Sequence, residues 1–374
     1  MYLEIKDLSV NLGEFHLKDI NLELYEGEYV VLIGPTGSGK SVLLETIIGF
    51  YTADKGTIKL GGKIINDIPP ENRNIGIVYQ DNVLFPNMDV YDNIAYGAKN
   101  QFSDGKIEEK IMNISKIMKI DHILHRDIST LSGGEVQRTS LARALIVEPK
   151  IILMDEPFSA LDISTQAKLT TLIKKVGNDY KTTFLHVTHN FNDVWNLADR
   201  VGVMKDGKIH QLSTIDDVFS RPENKFVADF VGVQNIFEGE ILEKSPERAV
   251  IELSNGTIVN SSDVDCLMKI TGNKKENILI AIRPESIIFS NVEFASSARN
   301  QLKGKVIDTI KSGPTVLINV DVNGNIFKGL LTKSSAEDLE VEKGKEIYMS
   351  FKSLNVNILD TYKSLENNQQ LNNS

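Results

Sequence analysis

Tyr29-Val30-Val31-Leu32-Ile33 is a short unbroken apolar run rich in branched side chains and bounded by Gly27 and Gly34. A strand with one wet face would alternate polar and apolar residues, so an unbroken run predicts a strand covered on both faces, as in a parallel sheet. Ile75–Tyr79, Ile151–Met154, Thr183–Val187 and Val201–Met204 read the same way. Helical spacing predicts helices from Lys40 to about Ile48, over Ile163–Val176 and over Phe191–Ala198. Strands alternating with helices predict α/β layering. Residues 87–147 look mostly helical and interrupt that alternation, which predicts a helical subdomain inserted between sheet strands.

The texture changes after Phe230-Val231-Gly232-Val233 to short alternating stretches punctuated by Gly, Asn and Ser, with Ser335–Leu339 as the one helical candidate. This half is predicted to be mainly β. Phe237-Glu238-Gly239-Glu240-Ile241-Leu242 is echoed by Leu302-Lys303-Gly304-Lys305-Val306-Ile307, which reads either as two small β-barrels in tandem or as chance similarity. The expected boundaries are 1–232 for the first domain, 233–294 and 295–361 for the two OB-like barrels, and 362–374 for an Asn/Gln-rich disordered tail.

A length of 374 residues agrees with roughly two to three domains, and 41% hydrophobic with 25% charged residues is ordinary for globular chains. The net charge of −10 argues against a nucleic-acid partner, since such binders cluster Lys and Arg against phosphate. Cys266 is the single cysteine, so neither an intrachain disulfide nor a Cys-based metal cluster can form, in keeping with a reducing cytoplasm. No apolar run approaches the roughly 20 residues that span a bilayer, so the chain reads as soluble. A role at a membrane would need a partner that supplies the spanning helices.

Candidate chemistry starts at Gly34-Pro35-Thr36-Gly37-Ser38-Gly39-Lys40-Ser41, a phosphate-binding P-loop pattern lying between a predicted buried strand and a predicted helix. Glycines let the backbone curl around phosphate, with its N–H groups inward and the helix N-terminus behind. Lys40 is predicted to reach the β- and γ-phosphates and Ser41 to ligate Mg²⁺. Ile151-Ile152-Leu153-Met154-Asp155-Glu156 puts two carboxylates at the carboxyl end of a strand, where parallel sheets collect ligands. Asp155 is predicted to hold the Mg²⁺ shell, and Glu156 to accept a proton from the attacking water or to orient it. Leu131-Ser132-Gly133-Gly134-Glu135 predicts a helix N-terminus capped by Ser132, with free amides suited to an anion.

That last segment resembles the signature sequence of ABC ATPases, a family in which it closes over ATP held by the P-loop of a second subunit. The resemblance implies ATP and Mg²⁺ as ligands, a head-to-tail pair of chains and two composite sites. It assigns ATP-contacting roles to Ser132, Gly133, Gly134 and Glu135. Gln80 matches the family glutamine that contacts Mg²⁺ and water, Ser159-Ala160-Leu161-Asp162 resembles the loop that crosses the dimer interface, and His189 matches the histidine on the γ-phosphate. For the ring that stacks on adenine the sequence offers Phe15 or Leu12, and Phe15 reads equally well as a core residue. Leu84-Phe85-Pro86-Asn87-Met88 reads either as a permease-docking surface or as subdomain core.

Ala281-Ile282-Arg283-Pro284-Glu285-Ser286 resembles a segment of the regulatory barrels of import-type ABC ATPases. Ser297-Ala298-Arg299-Asn300-Gln301-Leu302-Lys303-Gly304-Lys305-Val306 is similar to the opening strand of the molybdate-binding Mop domain, and Phe351-Lys352-Ser353-Leu354-Asn355-Val356 to its closing segment. The resemblance covers nearly the whole chain and implies the ATPase subunit, a translocase, of a molybdate or tungstate importer on the cytoplasmic membrane face. The implied partners are permease subunits and, indirectly, an extracytoplasmic oxyanion-binding protein. Ser297, Arg299, Lys352 and Ser353 are the regulatory oxyanion candidates, offering hydroxyls, a guanidinium fork and a point charge. An importer of another solute, or a soluble ABC ATPase without a permease, stays open as an alternative.

Overall fold

A computed structural model of the chain describes residues 1–80, 84–99, 101–159, 161–263 and 277–359. Cys266 and the expected tail 362–374 lie outside them. The chain divides into two compact units, Met1–Val218 and a second that begins at Phe219.

In chain order the first unit runs β1 (Leu3–Asn11), β2 (His16–Leu24), β3 (Tyr29–Ile33), α1 (Lys40–Ile48), β4 (Lys55–Leu60), β5 (Lys63–Ile64) and β6 (Gly76–Val78). Helices α2 (Val90–Ala95), α3 (Asp104–Met118) and α4 (Gly133–Leu145) follow, then β7 (Ile151–Asp155), α5 (Ile163–Tyr180), β8 (Thr183–Thr188), α6 (Phe191–Leu197), β9 (Arg200–Lys205) and β10 (Lys208–Thr214). The expected apolar runs become one sheet of order β10-β9-β3-β8-β7-β6. It is parallel except where β10 folds back on β9. Every residue of β3 and β8 is buried, as an unbroken apolar run requires. Helices α2 and α3 pack on α4 as the inserted subdomain. Within it Leu84 is buried, so that end of the 84–88 segment is core.

A second sheet, antiparallel with order β2-β1-β4-β5, did not emerge from the periodicity. Its buried residues Leu3, Ile5, Leu8 and Val10 would alternate but for a register shift between Ile5 and Leu8, where Asp7 takes φ 49°. A bulge of this kind breaks the period of two on which a strand is recognised. Helix α1 is held between the two sheets, and its Leu43, Leu44 and Ile47 share a core with Leu3 and Ile5 on one side and Val30, Leu153 and Val187 on the other.

After α7 (Ile215–Ser220), the second unit carries α8 (Lys225–Phe230), β11 (Asn235–Ser245), β12 (Arg248–Leu253), β13 (Ile258–Ser261), β14 (Asn277–Ile282) and β15 (Ile288–Ser290). It continues with β16 (Asn300–Ser312), β17 (Thr315–Val322), β18 (Asn325–Thr332), α9 (Lys333–Asp338), β19 (Glu346–Phe351) and β20 (Val356–Leu359). The break expected at 232 falls earlier because Ala228 and Val233 are buried with Leu279, Ala281 and Leu359 of this unit. Two curled, OB-like five-stranded sheets form, ordered β13-β12-β11-β14-β20 and β15-β19-β16-β17-β18.

They are not strictly sequential. β15, expected to finish the first barrel, pairs with β19, and the late strand β20 pairs with β14. One core joins both, including Ile251, Ile280, Phe289, Val306, Phe327 and Phe351. The echoed sequences occupy matching places in β11 and β16, each the central strand of its sheet. Each echo holds a glycine, Gly239 or Gly304, where a Cβ would fall 2.7 Å from Ile251 or 2.6 Å from Val320. A register shift follows each, between Ile241 and Glu243 and between Val306 and Asp308.

Arg73 ties the first unit together at the far end of α1. It is 6% exposed, and its guanidinium donates to the carbonyls of Ile47 (2.7 Å), Thr46 (3.2 Å), Ile68 (2.7 Å) and Asn66 (2.9 Å). Truncating it leaves buried acceptors unpaired, each costing about 1–3 kcal/mol. Arg73→Ala is therefore expected to lower the stability of the first unit by about 3 kcal/mol in chemical denaturation, and Arg73→Lys, which lacks the planar fork, to recover only part of it.

Candidate nucleotide site

The strand–loop–helix passage from β3 to α1 builds the phosphate cradle. Gly34 has no room for a side chain, since a Cβ there would sit 2.1 Å from the carbonyl oxygen of Met204. Gly39 takes φ 101°, which favours glycine, and a Cβ on it would meet the Phe15 ring at 2.5 Å. Lys40 Nζ donates to the carbonyls of Gly34 (2.8 Å) and Pro35 (3.1 Å) and lies 3.4 Å from Ser38 Oγ. Burial lowers the pKa of the Lys40 ammonium, and the nearby Glu156 and Asp155 charges oppose that shift.

The other wall comes from the carboxyl ends of β7 and β8 and from the segment after β6. Burial raises the Asp155 carboxyl pKa, aided by the Glu156 charge, while a hydrogen bond from Ser41 and the charge of Lys40 pull it back. Glu156 adopts φ 46°, an uncommon conformation for a residue with a side chain, and its amide donates to the Val187 carbonyl at 2.9 Å. That bend turns the carboxylate toward the turn after β8, where His189 Nδ1 lies 2.8 Å from Oε1 and 2.7 Å from Oε2.

Phe15, Thr36, Gly37, Ser38, Gly39, Lys40, Ser41, Gln80, Asp155, Glu156 and His189 all line one cavity of about 460 Å³, joined there by Val42, which the sequence did not single out. Of the two stacking candidates, Phe15 lines the cavity against Gly39, whereas Leu12 is 38% exposed and does not line it. Gly34 and Pro35 contribute their carbonyls to Lys40 rather than a surface. Among the described residues no cluster of three or more His, Cys, Asp or Glu could hold a metal. Mg²⁺ asks for less, one or two carboxylates beside waters and substrate phosphates, and Ser41, Asp155 and Gln80, which line the cavity together, fit that need.

Other candidates lie apart from the cavity. Ser132 caps α4 with its N–H and hydroxyl both donating to Glu135 Oε2, at 2.8 and 2.7 Å. Asp162 caps α5, accepting from the Thr165 amide at 3.0 Å and hydroxyl at 2.6 Å. Neither they nor Gly133 and Gly134 line the cavity. A second cavity of about 420 Å³ backs onto Glu156 and His189 and is lined also by Gln166, Thr188 and Asp193, to which the sequence reading gave no role. In the second unit, the pairing of Asn300 with Phe351 sets Arg299 and Lys352 at neighbouring strand ends, both exposed. Ser353 accepts a hydrogen bond from the Ser262 hydroxyl at 2.8 Å, and Ser297 lies exposed in the approach to β16.

An aromatic ring at the cavity mouth is worth about 1 kcal/mol when it stacks on a planar ligand. Phe15→Ala is expected to raise the dissociation constant for ATP about fivefold and leave the turnover at saturating ATP unchanged, as measured by nucleotide titration and phosphate release.

The sequence profile of the ABC transporter family matches residues 17–159, and that of the TOBE domain matches residues 296–358. The molybdate/tungstate import ATP-binding protein of Pyrococcus abyssi is 40% identical over 94% of this chain and 98% of its own length. The spermidine/putrescine import ATP-binding protein of Clostridioides difficile is 34% identical over 92% of this chain and 95% of its own length. Among solved structures, the ADP conformation of an ATP-binding cassette of an ABC transporter is 26% identical with a TM-score of 0.55, covering 61% of this chain and 97% of that one. With the P-loop, the carboxylate pair and His189 converging on one cavity, and with relatives matched along almost their full length, the chain belongs to the ABC transporter family of ATP-binding proteins.

Proposed function

We propose that this chain is the ATP-hydrolysing subunit of a molybdate or tungstate importer, seated on the cytoplasmic face of a membrane against permease subunits. The observation that carries the reading is the convergence of Lys40, Asp155, Glu156, Gln80 and His189 on one cavity in a chain related end to end to a molybdate/tungstate import ATP-binding protein. Among the described residues no helix is long and apolar enough to cross a membrane, so passage of the solute falls to partner subunits. An extracytoplasmic binding protein would deliver the oxyanion to the permease, and nucleic acid has no part in the reading.

Hydrolysis at this site is positioning plus charge stabilisation. The ammonium of Lys40 leaves the Gly34 and Pro35 carbonyls for the β- and γ-phosphate oxygens, against which the P-loop amides and the N-terminus of α1 also point. Ser41, Gln80 and Asp155 would hold Mg²⁺, which would supply neutralisation of the phosphate charge. Glu156 accepts the proton of the attacking water, its carboxylate oriented by His189 Nδ1, and His189 lies beside the γ-phosphate. Ser132 and the amides of Gly133 and Gly134, which do not reach this cavity in their own chain, complete it in a second copy. ATP then joins two chains head to tail, Asp162 lies at their junction, and hydrolysis releases them.

Arg299 and Lys352, at neighbouring exposed strand ends with Ser297 and Ser353 nearby in sequence, supply the cationic and hydroxyl donors an oxyanion needs. Oxyanion bound there between two chains would hold the ATPase halves apart and slow import in a replete cell.

Glu156→Gln keeps the shape of the side chain and removes the proton acceptor. The variant is expected to lose about 10²–10⁴-fold in ATP hydrolysis while its ATP affinity stays within about threefold of the parent, and hydrolysis at the parent rate would contradict the role. Molybdate or tungstate is expected to inhibit the assembled transporter and to lose that effect in Arg299→Ala. Unchanged rates with both anions, together with no anion binding by calorimetry, would remove the regulatory reading.

A further inference from the structure

Asp193 is 2% exposed, and a buried carboxylate is costly unless it is fully paired. It sits in the first turn of α6, where an acidic residue usually serves its own helix. Here the capping position belongs to Asn190, whose Oδ1 accepts from the Asn192 amide at 2.9 Å. Both oxygens of Asp193 face other elements instead. Oδ1 accepts from Gln166 Nε2 of α5 at 2.7 Å, and Oδ2 from the Thr188 hydroxyl of β8 at 2.9 Å. His186 Nε2, 3.8 Å from Oδ2, is too distant for a hydrogen bond, and the charges of Glu156 and His189 also act on the carboxyl.

Thr188 and Asn190 flank His189. With its proton committed to Asp193, the Thr188 hydroxyl turns a lone pair to the Asn190 amide, which donates at 3.0 Å and closes a tight turn around His189. The orientation of that hydroxyl, and so the closure of the turn, depends on Asp193. On the other side Gln166 lies one turn into the helix that Asp162 caps. One buried carboxylate thus joins the turn presenting His189 to the helix that starts at the proposed dimer junction, beside the cavity shared by Glu156 and His189.

We infer that Asp193 is a positioning residue for ATP hydrolysis, which through Thr188 and Gln166 fixes His189 on Glu156 and couples that pair to the Asp162 segment. The inference rests on the reading in which Glu156 and His189 act at the γ-phosphate. Asp193 itself touches neither substrate nor the reacting atoms. Its removal should therefore cost turnover rather than ATP binding, and cost nothing further once His189 is gone.

The test is a double-mutant cycle on the full chain in its assembled transporter, with ATP turnover, KM and melting temperature read for each variant. Asp193→Ala is expected to lower kcat about tenfold with KM for ATP within about twofold of the parent. On a His189→Ala background the same substitution is expected to change kcat by less than about twofold. Asp193→Asn, whose side-chain oxygen can still accept from the Thr188 hydroxyl while its amide nitrogen donates to Gln166 after that amide flips, is expected to recover kcat to within about threefold. Gln166→Leu is carried through the same cycle, so that misfolding of Asp193→Ala would not decide the outcome. Losses that multiply with His189→Ala, or a melting temperature that falls while kcat of the folded protein holds, would overturn the inference. His189→Ala at the parent rate would instead remove the underlying reading of the site.

Discussion

The seating of α1 between two sheets is the constraint on which the rest of the nucleotide site depends. Its apolar face is committed on both sides, to Leu3 and Ile5 of the antiparallel sheet and to Val30, Leu153 and Val187 of the parallel one. Arg73 fastens its far end by donating to the last carbonyls. The near end then projects its free amides from a fixed point beside the carboxyl ends of β7 and β8, and phosphate binding needs that rigidity because the amides act as a preorganised set of donors. A strand–helix turn free to rock would bring Lys40 and Asp155 to the same ligand only part of the time.

Much of this was legible in the sequence, for definite reasons. Strands buried on both faces write themselves as unbroken apolar runs, so β3, β7, β8 and β9 were visible, and the P-loop and Asp155-Glu156 pair stood at their ends. β1 and β2 were not, because the bulge around Asp7 breaks the alternation by which a half-buried strand is recognised. The exchange of β15 and β20 between the two curled sheets was equally hidden. Local pattern specifies that a strand exists and which face is apolar, whereas its partner is settled by the shared core of Ile280, Phe289 and Phe351.

The same division runs through the site. Residue type and spacing singled out Lys40 and Glu156, and the family resemblance His189, but packing puts Phe15 rather than Leu12 at the cavity, pressed against the side-chain-free Gly39. Asp193 went unnoticed because an acidic residue early in a helix is ordinary, and only the direction of its two oxygens distinguishes it. The separation of Ser132–Glu135 from the cavity is what a shared site requires of one chain. In the second unit, the interleaving of edge strands makes both sheets one folding unit, so an anion held near Arg299 and Lys352 would bear on both rather than on a detachable terminal barrel.

The most direct measurement is uptake of labelled tungstate and molybdate into ATP-loaded proteoliposomes holding this chain with the permease that copurifies with it, the extracytoplasmic binding protein being supplied outside and sulfate and a polyamine being run alongside. The account predicts accumulation of tungstate or molybdate that requires ATP hydrolysis, with little sulfate or polyamine transported. Hydrolysis with no oxyanion uptake, or accumulation of the polyamine in its place, would contradict it.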